Sequence, residues 1–593
     1  MPIVFPSLFP CARLARPAVS AGVVALLLAT AVLSPPAGAQ YDPAKALVEI
    51  DAIASLYPDP DVAIESPAFA AGKNDFTSQE EMLAFIQKLA AQTPAMRVRQ
   101  LGLSQQGRAI PLLVFVEPST ASGAELMKNG KPTVLLIGSQ HGNEPAGGEA
   151  ALAFAGMLAN GALGDILAQV NILIVPRANP DGSAAFLRGL ADGQDVNRDH
   201  LTLATPEGQA LAQVFNGYQP EVVLDSHEFS VGGRWVEKFG ALQKFDGLIQ
   251  SATVANLPPA QAAAAETLFR QPLLQAFDHH KLSHSWYYTT SVSMADKTVV
   301  MGGVGPDTGR NIAGLRNAIS FLLETRGVGI GKAHFKRRVF THLTAIESIV
   351  QTTASQASQV LALNRQLRQQ VAAEAGQGVL NVIGVATPGR HTLAMLDAQS
   401  GQPIAIEVDW MSALAIQPRL QRPRPYAYLL PASEQRAAER LQALGVSVYM
   451  VAAELQLAPE QGAQAYRLTS QSAGRKQDVT GSAGAASDVM RVTTELEPVR
   501  LTIAGGWYYV PLDQPLANLA AAALEPESQS SYVSNRLLQV PAAENGKPAY
   551  LPLYRLAKRP QLAVEALAAQ QGLLPDTTAQ RQSYAENDPG AKQ

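Results

Sequence analysis

The chain has 593 residues, of which 47% are hydrophobic, and a formal net charge of −4. That leaves room for two or three domains around a large apolar core. The absence of a lysine- or arginine-rich cluster argues against nucleic acid as a partner. At the amino terminus Arg13 and Arg16 precede the apolar stretch Ala21 to Leu33, and Ala37-Gly-Ala39 offers a small-x-small cleavage site. The apolar run is short for a bilayer span, so residues 1–39 are expected to be a signal peptide removed before Gln40. The mature protein would then be exported, periplasmic or secreted, with no stable membrane insertion. Cys11, the single cysteine, precedes the apolar stretch, so the mature chain would hold neither thiol nor disulfide, which excludes a thiol protease.

The first chemically informative stretch follows the apolar run Val134-Leu-Leu-Ile137, where GSQHGNEPAGGE carries His141 and Glu144. An imidazole and a carboxylate three residues apart, where a buried strand ends, are two of the three protein ligands of a catalytic zinc site. Residues 178–200 are loop-like from their Asn-Pro and Asp-Gly pairs and carry Arg188, Asn197 and Arg198. A guanidinium beside an amide can hold a planar anion such as a carboxylate. A second apolar run, Val222-Val-Leu224, precedes Asp225-Ser-His227-Glu228, and a third, Ala318 to Leu323, runs into Glu324. Loops at the carboxyl ends of parallel strands converge in one crevice. Two histidines and one glutamate would leave a fourth zinc position for water, with Glu324 the spare carboxylate, its pKa raised by burial.

Taken in order, these residues resemble the zinc carboxypeptidases of the M14 family, whose motifs run H-x-x-E, N-P-D-G, an arginine before D-x-N-R, a histidine after a strand, and F-x-x-E-x-R. Here they are His141 and Glu144, Asn179 to Gly182, Arg188, Asp195 to Arg198, His227, and Phe321 to Arg326. The stretch Leu103 to Pro111 is also similar to the family's, and the resemblance spans roughly residues 60 to 345. It implies that His141, Glu144 and His227 bind one zinc ion per chain, that Glu324 is general base and acid, and that Arg188 stabilises the oxyanion. It further implies that Asn197 and Arg198 hold the substrate's terminal carboxylate and that Asp195 orients His141. The tyrosine that better-known members carry about twenty residues before the catalytic glutamate is missing from Met301 to Asn311, and Tyr287 and Tyr288 lie further upstream. Arg310, the only cation in that stretch, is a candidate for the substrate pocket, with Asp307 the competing charge.

Residues 339 to 376, free of Pro and Gly until Gly376, suit one long helix leaving the catalytic unit. Short β-like runs follow at Leu393 to Leu396, Ala427 to Leu430, Val446 to Val451 and Trp507 to Val510, with a helix from Glu434 to Leu444. Residues 469 to 487 are of low complexity, suggesting a loop, and the polar tail suggests disorder. The expected organisation is a signal peptide (1–39), a zinc carboxypeptidase-like catalytic domain (40–345), a helical connection (346–376), a β-rich accessory domain (377–575) and a disordered tail (576–593). The expected fold is α/β, an open mixed sheet with helices on both faces, plus the smaller β-rich domain.

The function expected from this is zinc-dependent hydrolysis of a C-terminal peptide bond by a zinc-activated water, acting on peptides or proteins with a free C-terminus. The alternatives are a zinc amidohydrolase acting on peptidoglycan stem peptides or acylated amino acids, and a catalytically inactive peptide-binding protein.

Overall fold

Runs of uninterrupted apolar residues are the mark of strands buried on both faces, and they make the centre of this protein. The computed structural model describes residues 41–117, 123–475, 488–528, 530–542 and 547–567; the expected signal peptide and tail lie outside these. The main sheet contains β1 (Met96–Leu103), β2 (Ala109–Phe115), β3 (Thr133–Ile137), β4 (Asn171–Val175), β5 (Val222–Ser230), β6 (Gly247–Ser251), β7 (His284–Trp286) and β8 (Ile319–Val328), in the order β1-β2-β4-β3-β5-β8-β6-β7. The four strands β4, β3, β5 and β8 run parallel, and the flanking contacts β2 to β4 and β8 to β6 are antiparallel. The sheet is therefore mixed and open.

Alternation along each strand sends successive side chains to opposite faces. Val134 and Leu136 join one core, with α1 (Gln79–Gln92) and α2 (Pro145–Ala159); Leu135 and Ile137 join another, with α3 (Pro206–Tyr218) and α4 (Gly309–Leu315). Helices thus cover both faces. α1 starts at a reciprocal cap, in which Ser78 Oγ accepts from the Glu81 amide at 3.1 Å and Glu81 Oε2 accepts from the Ser78 amide at 2.7 Å. Its buried Met82, Ile86 and Leu89 follow the helical period.

Register places the functional edge. β3 pairs with β5 only from Val134 opposite Val222 to Ile137 opposite Asp225, whereas β5 stays paired with β8 as far as Ser230 opposite Val328. The carboxyl half of β5 and the facing part of β8 therefore overhang the end of β3. His227 and Glu324, expected just past a strand and at a strand end, both lie inside strands and directly opposite each other. Polar residues interrupt the apolar runs, but the parallel ladder continues through them.

The expected long helix over 339–376 is two helices, α5 (Phe335–Ser355) and α6 (Ala357–Ala373), broken at Gln356 with φ −112° and ψ 23°. α5 does not leave the first part of the chain: Val339, Leu343, Ile346 and Val350 are buried in the same core as α2. The run at Leu393 to Leu396 is the end of a much longer strand, Val379–Asp397, paired with Pro403–Pro423. This hairpin joins Ala241–Gln243, Val299–Met301 and Tyr288–Thr290 in a five-stranded sheet. Beyond it lies a seven-stranded sheet that includes Ala427–Leu430, Ala463–Arg475, Tyr508–Pro511 and Tyr550–Leu556, with helix α7 (Gln435–Ala443) beside it, so the C-terminal region is β-rich. Residues 469 to 475 belong to a strand, because Ala473 to Arg475 pair with Met490 to Asp488; residues 476–487 lie outside the described part. The C-terminal region packs on the α3 and α4 face, where Leu211, Phe215, Ile312 and Leu315 share one core with Tyr428, Leu441, Leu524 and Tyr532. Among the described residues no helix is long and apolar enough to cross a membrane.

Candidate metal centre and its cleft

The chain leaves β3 through Gly138 and Ser139, whose φ of 48° is in the left-handed region, and turns so that the Glu144 amide bonds the His141 carbonyl at 3.2 Å. That turn sets both side chains on the same side. It is braced from outside by the Asn-Pro-Asp-Gly stretch. A Cβ on Gly142 would lie 1.8 Å from the Gly182 carbonyl carbon, so only glycine permits the two loops to touch. Asn179 donates to the Gln140 carbonyl at 3.2 Å and the Gly189 carbonyl at 3.1 Å, and Asp181 accepts from Ser104 Oγ at 2.7 Å and the Gln106 amide at 2.9 Å. This motif is a clamp between the His141 loop, the Arg188 loop and the upstream Leu103 to Pro111 stretch.

His141 Nδ1 lies 2.8 Å from Glu144 Oε1, His227 Nδ1 lies 2.9 Å from Glu144 Oε2, and the two Nδ1 atoms are 3.0 Å apart. All three residues are buried, and among the described residues they are the only His, Cys, Asp or Glu group whose ligand atoms gather this closely. The opposite ring nitrogens are anchored: His141 Nε2 sits 3.0 Å from Asp195 Oδ1, and His227 Nε2 sits 3.0 Å from Asp225 Oδ1. A carboxylate at Nε2 keeps the proton there and turns the Nδ1 lone pair inward. Burial disfavours a charged His227, yet Asp225 and Glu144 outweigh it and hold its pKa well above the ordinary histidine range. The pocket between these donors thus favours positive charge, and two imidazoles with one carboxylate fit zinc.

Glu324 faces the centre from β8. Burial, reinforced by the charge of Glu144, pushes its pKa up to about 7. Arg188 donates to Glu144 Oε1 at 3.1 Å and to Asp195 Oδ2 at 2.9 Å. Burial would raise the pKa of Asp195, but Arg188 and His141 hold it well below the carboxylate range. Asn197 Oδ1 accepts from the Gly309 amide at 2.7 Å, and its amide nitrogen is 3.2 Å from His227 Nε2. With the Nε2 proton of His227 directed at Asp225, the amide hydrogens of Asn197 remain available to a ligand. Arg198 bonds the Asn197 carbonyl at 2.7 Å and lines the cleft.

Arg310, at the start of α4, also lines the cleft and is buried, donating to the Gly303 carbonyl at 2.7 Å. Burial lowers its pKa to about 10, so it stays charged at neutral pH. Among the described residues no carboxylate pairs with its guanidinium within 4.0 Å. Asp307 lines the same cleft and is buried. Of the two upstream tyrosines, Tyr288 is buried among Trp235, Leu248 and Val299, whereas Tyr287 approaches Gly302 beside Arg310.

The residue that sequence reasoning missed is Asp225. It stands two positions before His227, and extending β5 through the histidine would have put both on one face. Gln140 adds to it, donating to Asp225 Oδ1 at 2.6 Å and accepting from His200 Nε2 at 2.8 Å. Glu228 is paired with Arg338 at 2.7 Å, and Glu149 accepts from the Ala68 amide and Thr77. Neither competes with Glu324. Arg326, the last residue of the F-x-x-E-x-R stretch, turns to the Gln243 carbonyl and to Glu49.

Two histidines and a glutamate on the overhanging edge of an α/β sheet, with a further carboxylate opposite, define the donor set of a metal-dependent hydrolase. Residues 82–223 match the family model described as zinc carboxypeptidase, Peptidase_M14. The chain is 29% identical over 498 residues to carboxypeptidase 2 of Trichophyton rubrum, covering 83% of this chain and 88% of that one. It is 30% identical over 398 residues to the protein named "Probable carboxypeptidase 2" of Arthroderma benhamiae, covering 65% and 75%. Among solved structures, carboxypeptidase A from Helicoverpa armigera is similar at 17% identity and a TM-score of 0.38, covering 49% of this chain and 79% of that chain. The chain belongs to the M14 family of zinc carboxypeptidases and is a peptidase.

Proposed function

We propose that this protein is an exported, zinc-dependent metallocarboxypeptidase that removes C-terminal residues from peptides with a free carboxylate. The observation that carries the reading is the meeting, in one cleft, of the His141, Glu144 and His227 donor set, Glu324 opposite, and the cations Arg188, Arg198 and Arg310. His141, Glu144 and His227 would hold one zinc ion, which when bound supplies a Lewis acid that polarises the scissile carbonyl and acidifies water.

The chain's own residues do the rest. Asn197 and Arg198 bind the terminal carboxylate through charge-assisted hydrogen bonds and so fix which bond lies over the centre. Glu324, with its pKa pushed up to about 7, takes a proton from the attacking water and returns it to the leaving amine. Arg188 donates to the developing oxyanion, a contribution of about 3 to 4 kcal/mol if it acts as other oxyanion donors do. Asp195 and Asp225 keep the two imidazoles in the required tautomer.

The test compares peptides with free and amidated C-termini. Amidation removes the charge that the half-buried Arg198 and its neighbour Asn197 hold, so kcat/KM should fall by two or more orders of magnitude, and Arg198→Ala should erase the difference. Equal cleavage of both substrates by the parent enzyme would refute the exopeptidase reading in favour of an amidohydrolase acting on another bond. Arg310, buried and without a carboxylate partner, selects an acidic terminal side chain. A kcat/KM series over terminal Glu, Lys, Leu and Ala should place Glu first, and Arg310→Ala should remove that lead; a parent enzyme that prefers Lys would rule Arg310 out as the selector.

A further inference from the structure

The cleft measures about 1430 Å³, more than the roughly 300 to 1,000 Å³ typical of a small-ligand pocket. A single terminal residue does not fill it. Only part of its wall comes from the main sheet. Arg436 and Arg440 on α7, with Ser530, Asn535 and Leu537, line the same cavity as His141, Glu144 and Glu324. α7 is rigidly seated, since Ala437, Ala438 and Leu441 are buried in the core shared with α3 and α4. Nearby, a Cβ on Gly305 would meet both Asp307 and Ser530, so the C-terminal region abuts the loop that leads to Arg310.

Arg436 and Arg440 are four residues apart and share a helix face, where like charges repel. Among the described residues neither guanidinium has a carboxylate within 4.0 Å. Of the acids lining the cleft, Glu144 and Asp195 are engaged by the histidines and Arg188, Glu228 by Arg338, Asp199 by Thr202 and Thr205, and Asp296 by the Thr298 amide; Glu237, Asp307, Glu324 and Asp488 line it too, none within 4.0 Å of either guanidinium. Two cations with no carboxylate within 4.0 Å therefore stand in the wall of the cleft.

We infer that Arg436 and Arg440 form a binding site for acidic side chains of the substrate upstream of the scissile bond, so that the C-terminal region selects which peptide tails enter. The inference rests on the carboxypeptidase reading above. An extended substrate whose terminal carboxylate is held at Arg198 runs outward along this wall, and a carboxylate two to four residues before the cut meets the arginine pair.

The test uses the full zinc-loaded chain and blocked peptides that share one C-terminal dipeptide and differ only in whether Asp, Ser or Lys occupies the two to four positions before the scissile bond. A blocked dipeptide serves as reference. The parent should cleave the Asp peptides about three- to fivefold better in kcat/KM than the Ser peptides, as expected for one or two partly exposed ion pairs, and the Lys peptides worst. The preference should shrink at high salt. Arg436→Gln with Arg440→Gln should bring the three peptides to the same ratio, and the single reversal Arg436→Glu, at an exposed position, should turn the preference toward Lys. Zinc content and thermal melting check that the variants are folded. A parent that cleaves all peptides equally, or variants that keep its ranking, would overturn the inference while dipeptide hydrolysis leaves the carboxypeptidase reading standing. No hydrolysis of any substrate, the dipeptide included, would overturn both.

Discussion

Asp225 and Glu324 are both buried carboxylates within one side chain of His227, yet their environments assign them different work. Asp225 accepts from Gln140 and faces His227 Nε2, so it orients a ligand. Glu324 stands across the β5 to β8 ladder from His227, and burial leaves it able to gain and lose a proton near neutral pH. Asp225→Asn should therefore weaken metal binding by about 10- to 100-fold, as loss of an orienting partner does elsewhere. Glu324→Gln should keep the metal and lose about 100- to 10,000-fold in kcat, the usual worth of a positioned base. Metal titration and turnover on the same preparations separate the two. Undiminished metal affinity in Asp225→Asn, or activity within tenfold of the parent in Glu324→Gln, would show the roles to be misassigned.

Elements are held together by ion pairs between segments far apart in the chain, such as Arg326 of the F-x-x-E-x-R stretch with Glu49. The amino-terminal segment is tied to β8 through Glu49, which pairs with Arg326 and lies 3.1 Å from His334. Burial works against the charged Glu49, but His334 and Arg326 outweigh it and bring its pKa from 4.5 to about 2. A carboxylate depressed on folding adds stability that is present above about pH 4.5 and is lost as the pH falls toward 2. Urea midpoints at pH 7 and pH 3 should therefore drop further for the parent than for Glu49→Gln, which has no proton to gain there. Equal drops in the two proteins would show that the pair does not link folding to pH. Breaking it at neutral pH leaves Arg326 buried and unpaired, an arrangement that costs about 3 to 5 kcal/mol where such pairs have been cut.

At the scale of the whole molecule, the sequence was most legible where chemistry demands short spacing. His141 and Glu144 share one turn, and Asp195 to Arg198 share another, so each candidate pair shows in a few letters. The apolar runs of β3, β5 and β8 were equally plain, because strands buried on both faces admit little else. What could not be read was how far β5 and β8 extend beyond β3, since pairing through Asp225, His227 and Glu324 is a property of two distant segments. The same holds for the long hairpin of which Leu393 to Leu396 is one end. By itself the sequence determined the donor types, their order and the parallel strands that carry them, because these depend on local spacing and period. Only the tertiary structure decided that Asp225 orients His227, that Arg326 faces Glu49, and that α7 brings Arg436 and Arg440 to the cleft. Those neighbours are set by register and by packing across a shared core, which join residues far apart in the chain.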